Sequence, residues 1–235
     1  METVRRKFTL IELLVVVGIL AILMSILFPA LRRSKEMANS IACKSNLRQM
    51  CVAIVMYAQD SSGWTPYPAD YTKPFGAQNY YELLNSFKLV PNFVDSRYGP
   101  YCCPSGQIPK NSRQIYGLRC HTQNPVKGFL ITGGMISITE SSGTSTWSPS
   151  SFIIIGDSRY GTLPIQWESI DDNNYGGGRP LPCMRHLATG NFGFTDGHVA
   201  GISGTDLIQG YFSSDISKYR FTNYMDKDGN VFGYY

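Results

Sequence analysis

The stretch from Phe8 to Phe28, FTLIELLVVVGILAILMSILF, carries one ionisable side chain, Glu12. As a helix rising about 1.5 Å per residue, a run of this length crosses the hydrocarbon core of a bilayer. Arg5, Arg6 and Lys7 stand directly before it, opposed only by Glu2. The positive-inside rule keeps that cluster in the cytoplasm and puts the bulk of the chain outside. A cleavable signal peptide fits less well, because the apolar run is long, the basic residues abut it, and no A-x-A-like cleavage site follows. A plain anchor fits the length but leaves Glu12 unexplained. A carboxylate inside a membrane helix is costly and is normally kept for a partner.

After Pro29, apolar residues recur at Leu47, Met50, Cys51, Ile54, Tyr57 and Ala58, with polar residues between them. That is helical spacing with one stripe to bury. Asp60-Ser61-Ser62-Gly63 reads as the stop. The expectation is one helix over residues 8–60, bent near Pro29, with its first half in the membrane and its second half packed on a globular head.

The segment Lys7-Phe8-Thr9-Leu10-Ile11-Glu12-Leu13-Leu14-Val15-Val16-Val17 resembles the N-terminal cleavage and methylation segment of type IV prepilins and type II secretion pseudopilins. The resemblance implies a cut between Lys7 and Phe8 by a membrane prepilin peptidase, which also methylates the new N-terminus. It implies that Phe8 and Glu12 act in subunit assembly, Glu12 pairing with the terminal amine of a neighbouring copy. It further implies an inner-membrane assembly platform and a filament of this chain with itself or with other pilins. Pro29 falls where the family bends its helix. Where the family usually has Gly before the cut, this chain has Lys7. The run from Cys43-Lys44-Ser45-Asn46-Leu47 to Tyr57-Ala58-Gln59-Asp60 resembles the helix of a pseudopilin-like group known by a domain of unknown function. A Cys-Pro pair and an H-x9-D-G spacing, His186 to Asp196-Gly197, extend the likeness into the head.

The division that follows is a leader over 1–7, a membrane or filament-core helix over 8–28, an amphipathic spine over 29–62, and a head over 63–235. In the head, one short helix is expected from Tyr80 to Leu89, ended by Pro91. Strands are expected at Gly128–Ile131, Met135–Thr139, Phe152–Ile155, Asn191–Thr195, His198–Ile202 and Tyr219–Tyr224. Ser141 to Ser151, rich in Ser and Thr, reads as an exposed loop. The expected class is α+β: a long N-terminal helix on a small antiparallel sheet, as in pilins.

Asp196-Gly197 between alternating apolar residues is a hairpin signal. His186, Asp196 and His198 are competent metal ligands, although an Asp in a turn commonly caps its own backbone. Asp226-Lys227-Asp228-Gly229-Asn230 alternates oxygen ligands as calcium loops do, and the resemblance to pseudopilins also points to Ca2+ at Asp226, Asp228 and Asn230. The other reading is a simple Asp-Gly turn. No cofactor is required. Ser158 beside Asp157 and Cys183 near His186 lack the strand–turn–helix setting that activates a nucleophile, so no enzyme is expected. The net charge of +4 is too mild to indicate nucleic acid.

Six cysteines, Cys43, Cys51, Cys102, Cys103, Cys120 and Cys183, lie beyond the apolar run. Six thiols permit about 15 full pairings. Cys43 and Cys51, eight positions apart on a helix, are about 12 Å distant, beyond disulfide reach. Cys43 with Cys103 of the Cys102-Cys103-Pro104 turn would staple spine to sheet, Cys120 with Cys183 is a further pairing, and Cys51 reads as a buried free thiol. The functional expectation is a single-pass inner-membrane subunit, N-terminus cytoplasmic and head periplasmic or extracellular, that assembles into a pilus or pseudopilus. The alternative is a membrane-anchored metal-binding or catalytic domain with a pocket joining His186, Asp196 and His198.

Overall fold

The helix expected over residues 8–60 is α1, Leu10–Asp60, and it accommodates Pro29. The computed structural model describes residues 9–67, 79–94, 99–120, 129–132, 135–140, 143–161, 165–171, 180–209, 221 and 223–233. Two compact units divide the chain, Met1–Ala38 and Asn39–Tyr235. In the first, α1 opens with a capping box. The Thr9 hydroxyl accepts the Glu12 amide at 3.3 Å, and the Glu12 carboxylate accepts the Thr9 amide at 2.9 Å and its hydroxyl at 2.7 Å. Glu12 thus has a partner in its own helix. The most apolar window of α1 has a mean hydropathy of 2.9 and buries none of itself within the chain. Among the described residues, α1 is the one helix long and apolar enough to cross a membrane.

The C-terminal part of α1 buries Cys43, Leu47, Met50, Cys51, Ala53, Ile54 and Ala58. The stripe therefore starts one turn earlier than Leu47. Tyr57 is half-buried, edge-on to Phe87 with ring centroids 5.1 Å apart. Helix α2, Tyr80–Ser86, begins with an Asn79–Glu82 capping box. It stops short of Leu89 because Lys88 turns left-handed (φ 59°) and Leu89 donates back to the Leu84 carbonyl, a helix-ending motif.

Where one antiparallel sheet was expected, the described residues form three sheets. The largest has the order β10-β9-β5-β1-β7 and comprises β1 (Gly117–Cys120), β5 (Ile153–Gly156), β7 (Ser169–Asp171), β9 (Thr189–Phe194) and β10 (Val199–Ser203). Its β1–β7 pairing is parallel. The second, in the order β12-β11-β8-β6, holds β6 (Ser158–Tyr160), β8 (Pro180–Met184), β11 (Asn223–Asp226) and β12 (Val231–Gly233), with β11 and β8 parallel. The third is the meander β2 (Leu130–Thr132), β3 (Met135–Glu140) and β4 (Gly143–Trp147). Strand β4 occupies the segment expected to be a loop. Thr144 and Thr146 are exposed while Trp147 is buried against Phe152, an alternation suited to a half-buried strand. Of the expected strand at Tyr219–Tyr224, residues 219, 220 and 222 lie outside the described residues.

The inner stripe of α1 packs with Tyr80, Tyr81 and Leu84 of α2 and with Leu118, Ile154 and Ile155 of the largest sheet. Ile153, Ile170, Phe192, Phe194 and Ile202 form a second cluster with Met184 and with Leu207 of the short helix α3, Gly204–Ile208. All four residues of β5 are buried, which explains the uninterrupted Ile-Ile-Ile run. At Gly193 on β9 an added Cβ would lie 2.3 Å from Cys51 Sγ. Only glycine lets α1 come so close to that strand.

Candidate functional site

Asp157 is where the chain leaves β5 of one sheet and enters β6 of another. Its backbone is pinned on both sides, its amide donating to the Asn191 carbonyl and its carbonyl accepting from Cys183, both at 3.0 Å. The side chain is fully buried. Around it lie Cys43 from the α1 stripe, Cys103 from the Cys-Pro turn and His186 from the end of β8, all buried. One ligand atom from each falls within 4.8 Å of all the others. Cys43 Sγ is 3.8 Å from both Asp157 oxygens. His186 Nε2 is 3.4 Å from Asp157 Oδ2 and 3.1 Å from Cys103 Sγ.

A second layer holds these groups. The Asn191 amide donates to Asp157 Oδ2 at 3.0 Å. Gln166 Nε2 donates to Oδ1 at 3.4 Å, and Gln166 Oε1 accepts the Cys103 amide at 2.8 Å. Arg185 Nε stands 3.9 Å from Asp157 Oδ1 and its Nη2 donates to the Ser158 carbonyl at 2.8 Å. The Tyr116 hydroxyl lies 3.2 Å from Cys43 Sγ.

When protons alone titrate the cluster, burial opposes charge on His186, yet its bonds to Asp157 and Cys103 raise its pKa to about 10. Burial likewise opposes ionisation of Asp157, but His186 and Arg185 hold its carboxyl below the usual value. The pair is then imidazolium and carboxylate. Burial pushes the Cys103 thiol well up, so it stays protonated.

The sequence-predicted residues separate. Lys7 and Phe8 lie outside the described residues. Cys43 and Cys103, expected as a staple, do meet, but both are free thiols. Cys183 is a buried free thiol facing the Asp226 carbonyl, and the side chain of Cys120 lies outside the described residues. Cys51 is buried and free, as expected. The expected pocket of His186, Asp196 and His198 is corrected: His186 joins Cys43, Cys103 and Asp157, and the other two do not enter that group. Asp196 and His198 are on the exposed β9–β10 turn, where Asp196 Oδ1 accepts the His198 amide at 3.1 Å and contacts its Nδ1 at 2.6 Å. Gly197 takes φ 88° there, as a three-residue hairpin loop with a glycine bulge requires. Asp226 also serves a turn. Its Oδ1 accepts the amides of Asp228 and Asn230 at 2.9 Å and its Oδ2 accepts Asn230 Nδ2 at 2.7 Å. Asp228 pairs with Lys227.

No family model, curated protein or solved structure matches the chain.

The turn that presents His186 is strained. His186 and Thr189 exchange both backbone hydrogen bonds at 2.8 Å, and the two residues between them, Leu187 and Ala188, have φ of 46° and 67°. Positive φ at both central positions favours Asn-Gly, and side chains that resist it store about 1–3 kcal/mol each. Both residues are exposed. The double substitution Leu187→Asn, Ala188→Gly is expected to stabilise the protein by about 1–2 kcal/mol, measured as a rise in unfolding temperature; a fall would show that the turn is not the strained element.

Proposed function

We propose that the chain is a structural, pilin-like subunit of a type II secretion pseudopilus or a type IV pilus-like filament. In this reading the chain is cut between Lys7 and Phe8, methylated on Phe8, and held in the inner membrane by α1 until it assembles. The observation that carries the proposal is the division of labour along α1. Its apolar N-terminal part buries nothing within the chain, whereas its C-terminal part is a wall of the head's core. Such an apolar surface is covered by lipid or by other helices, and a filament core supplies the second. The α+β head supports the same reading.

The capping box refines the part played by Glu12. Within the precursor the Thr9 amide and hydroxyl satisfy its carboxylate. Pairing with a neighbour's terminal amine would then exchange one partner for another and favour one register over the rest. The test is mass spectrometry of the protein from its host's membranes. A methylated Phe8 start is the expected result, and an intact Met1 would overturn the proposal. A companion variant, Glu12→Gln, retains a capping-box side chain while removing the charge. It is expected to insert in the membrane normally but to enter filaments poorly; normal incorporation would exclude the pairing role.

A further inference from the structure

We propose that Cys43, Cys103, Asp157 and His186 form a closed, four-coordinate site for a thiophilic divalent metal ion, zinc foremost, that fastens α1 to the two larger sheets. Four donors arrive from four separate parts of the chain and face one another at 3.1 to 3.8 Å where contacts are resolved. With zinc–ligand bonds of about 2.0–2.3 Å, the edges of a tetrahedron are about 3.3–3.8 Å. The cluster is thus close to the size of an occupied site.

The donor set selects the ion. Two sulphurs, an imidazole nitrogen and one carboxylate oxygen suit zinc and disfavour the hard cations calcium and magnesium, which take oxygen. All four side chains are essentially inaccessible, and four protein ligands fill a tetrahedron. The site is structural, with no position left for substrate.

The surroundings also fit. Two thiolates and a carboxylate around a divalent ion leave one net negative charge, and buried Arg185 beside Asp157 supplies the opposite one. The Tyr116 hydroxyl donates to Cys43 Sγ, and Gln166 joins the Asp157 carboxylate to the Cys103 backbone. Partners of this kind orient ligands. Binding releases the two thiol protons, and the Nε2 proton of His186 where it is charged, to solvent; no electrons move. The site is separate from the assembly reading, which concerns the N-terminal helix, and either can fail without the other.

The test uses the full-length protein, purified in detergent under reducing conditions, stripped with chelator and reloaded with Zn2+ or Co2+. Retention of about one zinc ion per chain is expected, together with a sulphur-to-cobalt charge-transfer band and tetrahedral cobalt absorption. Cys43→Ser and Cys103→Ser should each lose most of the metal, Cys51→Ala should keep it, and Gln166→Ala should weaken affinity by about 10-fold. The cobalt spectrum of the unsubstituted chain stands even if a variant fails to fold. The proposal is overturned if that chain shows neither retained zinc nor the charge-transfer band. It is equally overturned if Cys43→Ser binds as the parent does, or if protein from host membranes carries a Cys43–Cys103 disulfide and no metal.

Discussion

Asp157→Ala is expected to destabilise the head by about 3–5 kcal/mol, the range for removing one partner of a buried ion pair. The carboxylate faces His186 and Arg185 and accepts the Asn191 amide and Gln166 Nε2. Removing it leaves two cationic side chains and two donors in a space closed to water, and an uncompensated buried charge is among the costliest defects a core can carry. The cost has the same sign whether protons or a metal ion hold the cluster, because either way the charge opposite Asp157 loses its counterpart. Asp157→Asn should fall between, since its amide oxygen still accepts the Asn191 amide. For a domain of this size the alanine variant should unfold roughly 10 °C lower. Thermal unfolding of the full chain in detergent measures it, and a shift within about 1 °C of zero would mean that Asp157 is not the charge centre of the cluster.

Why this cluster escaped the sequence is a matter of distance along the chain. The α1 stripe was legible because helical periodicity is local: Leu47, Met50, Cys51, Ile54 and Ala58 are all buried. The Asp196-Gly197 hairpin was legible because a turn needs few residues to declare itself. The four clustered side chains come from α1, a loop, a strand junction and a turn, with none of the short Cys-x-x-Cys spacing that announces a metal site. Two signals were present. Cys43 lies one turn before Leu47 on the same stripe, and Asp157 ends a fully apolar strand where an acid needs a partner. Strand β8 was hidden by Pro180 and Pro182, which argue against a central strand. The structure admits them because, among the described residues, β8 pairs with β11 only from Cys183 onward, and the prolines lie opposite β6 alone. The parallel β1–β7 and β11–β8 pairings join segments far apart in the chain, which local patterns cannot specify. The α+β class and the long helix were read correctly; the number and mixed character of the sheets were not.

Glu168→Gln is expected to make the protein markedly more stable at alkaline pH and to change it little at pH 5. Glu168 precedes β7 with its carboxylate fully buried, and among the described residues neither oxygen receives a hydrogen bond. Arg113, itself partly exposed, is 3.7 Å away. Burial raises the Glu168 pKa to about 8; Arg113 offsets this in part and nearby Glu82 adds to it. In the unfolded chain the same carboxyl titrates at about 4.3. Between those values the unfolded state releases a proton that the folded state keeps, so stability falls as pH rises through the window and levels off above about pH 8. The full difference is on the order of 5 kcal/mol. Glutamine has nearly the same shape and no charge to bury, so it removes this dependence. Unfolding temperatures of parent and variant from pH 5 to 9 isolate the effect, because groups common to both cancel in the difference. The gap should open steadily toward pH 8; a constant gap would mean that Glu168 is already ionised in the folded protein at pH 5, with Arg113 outweighing its burial.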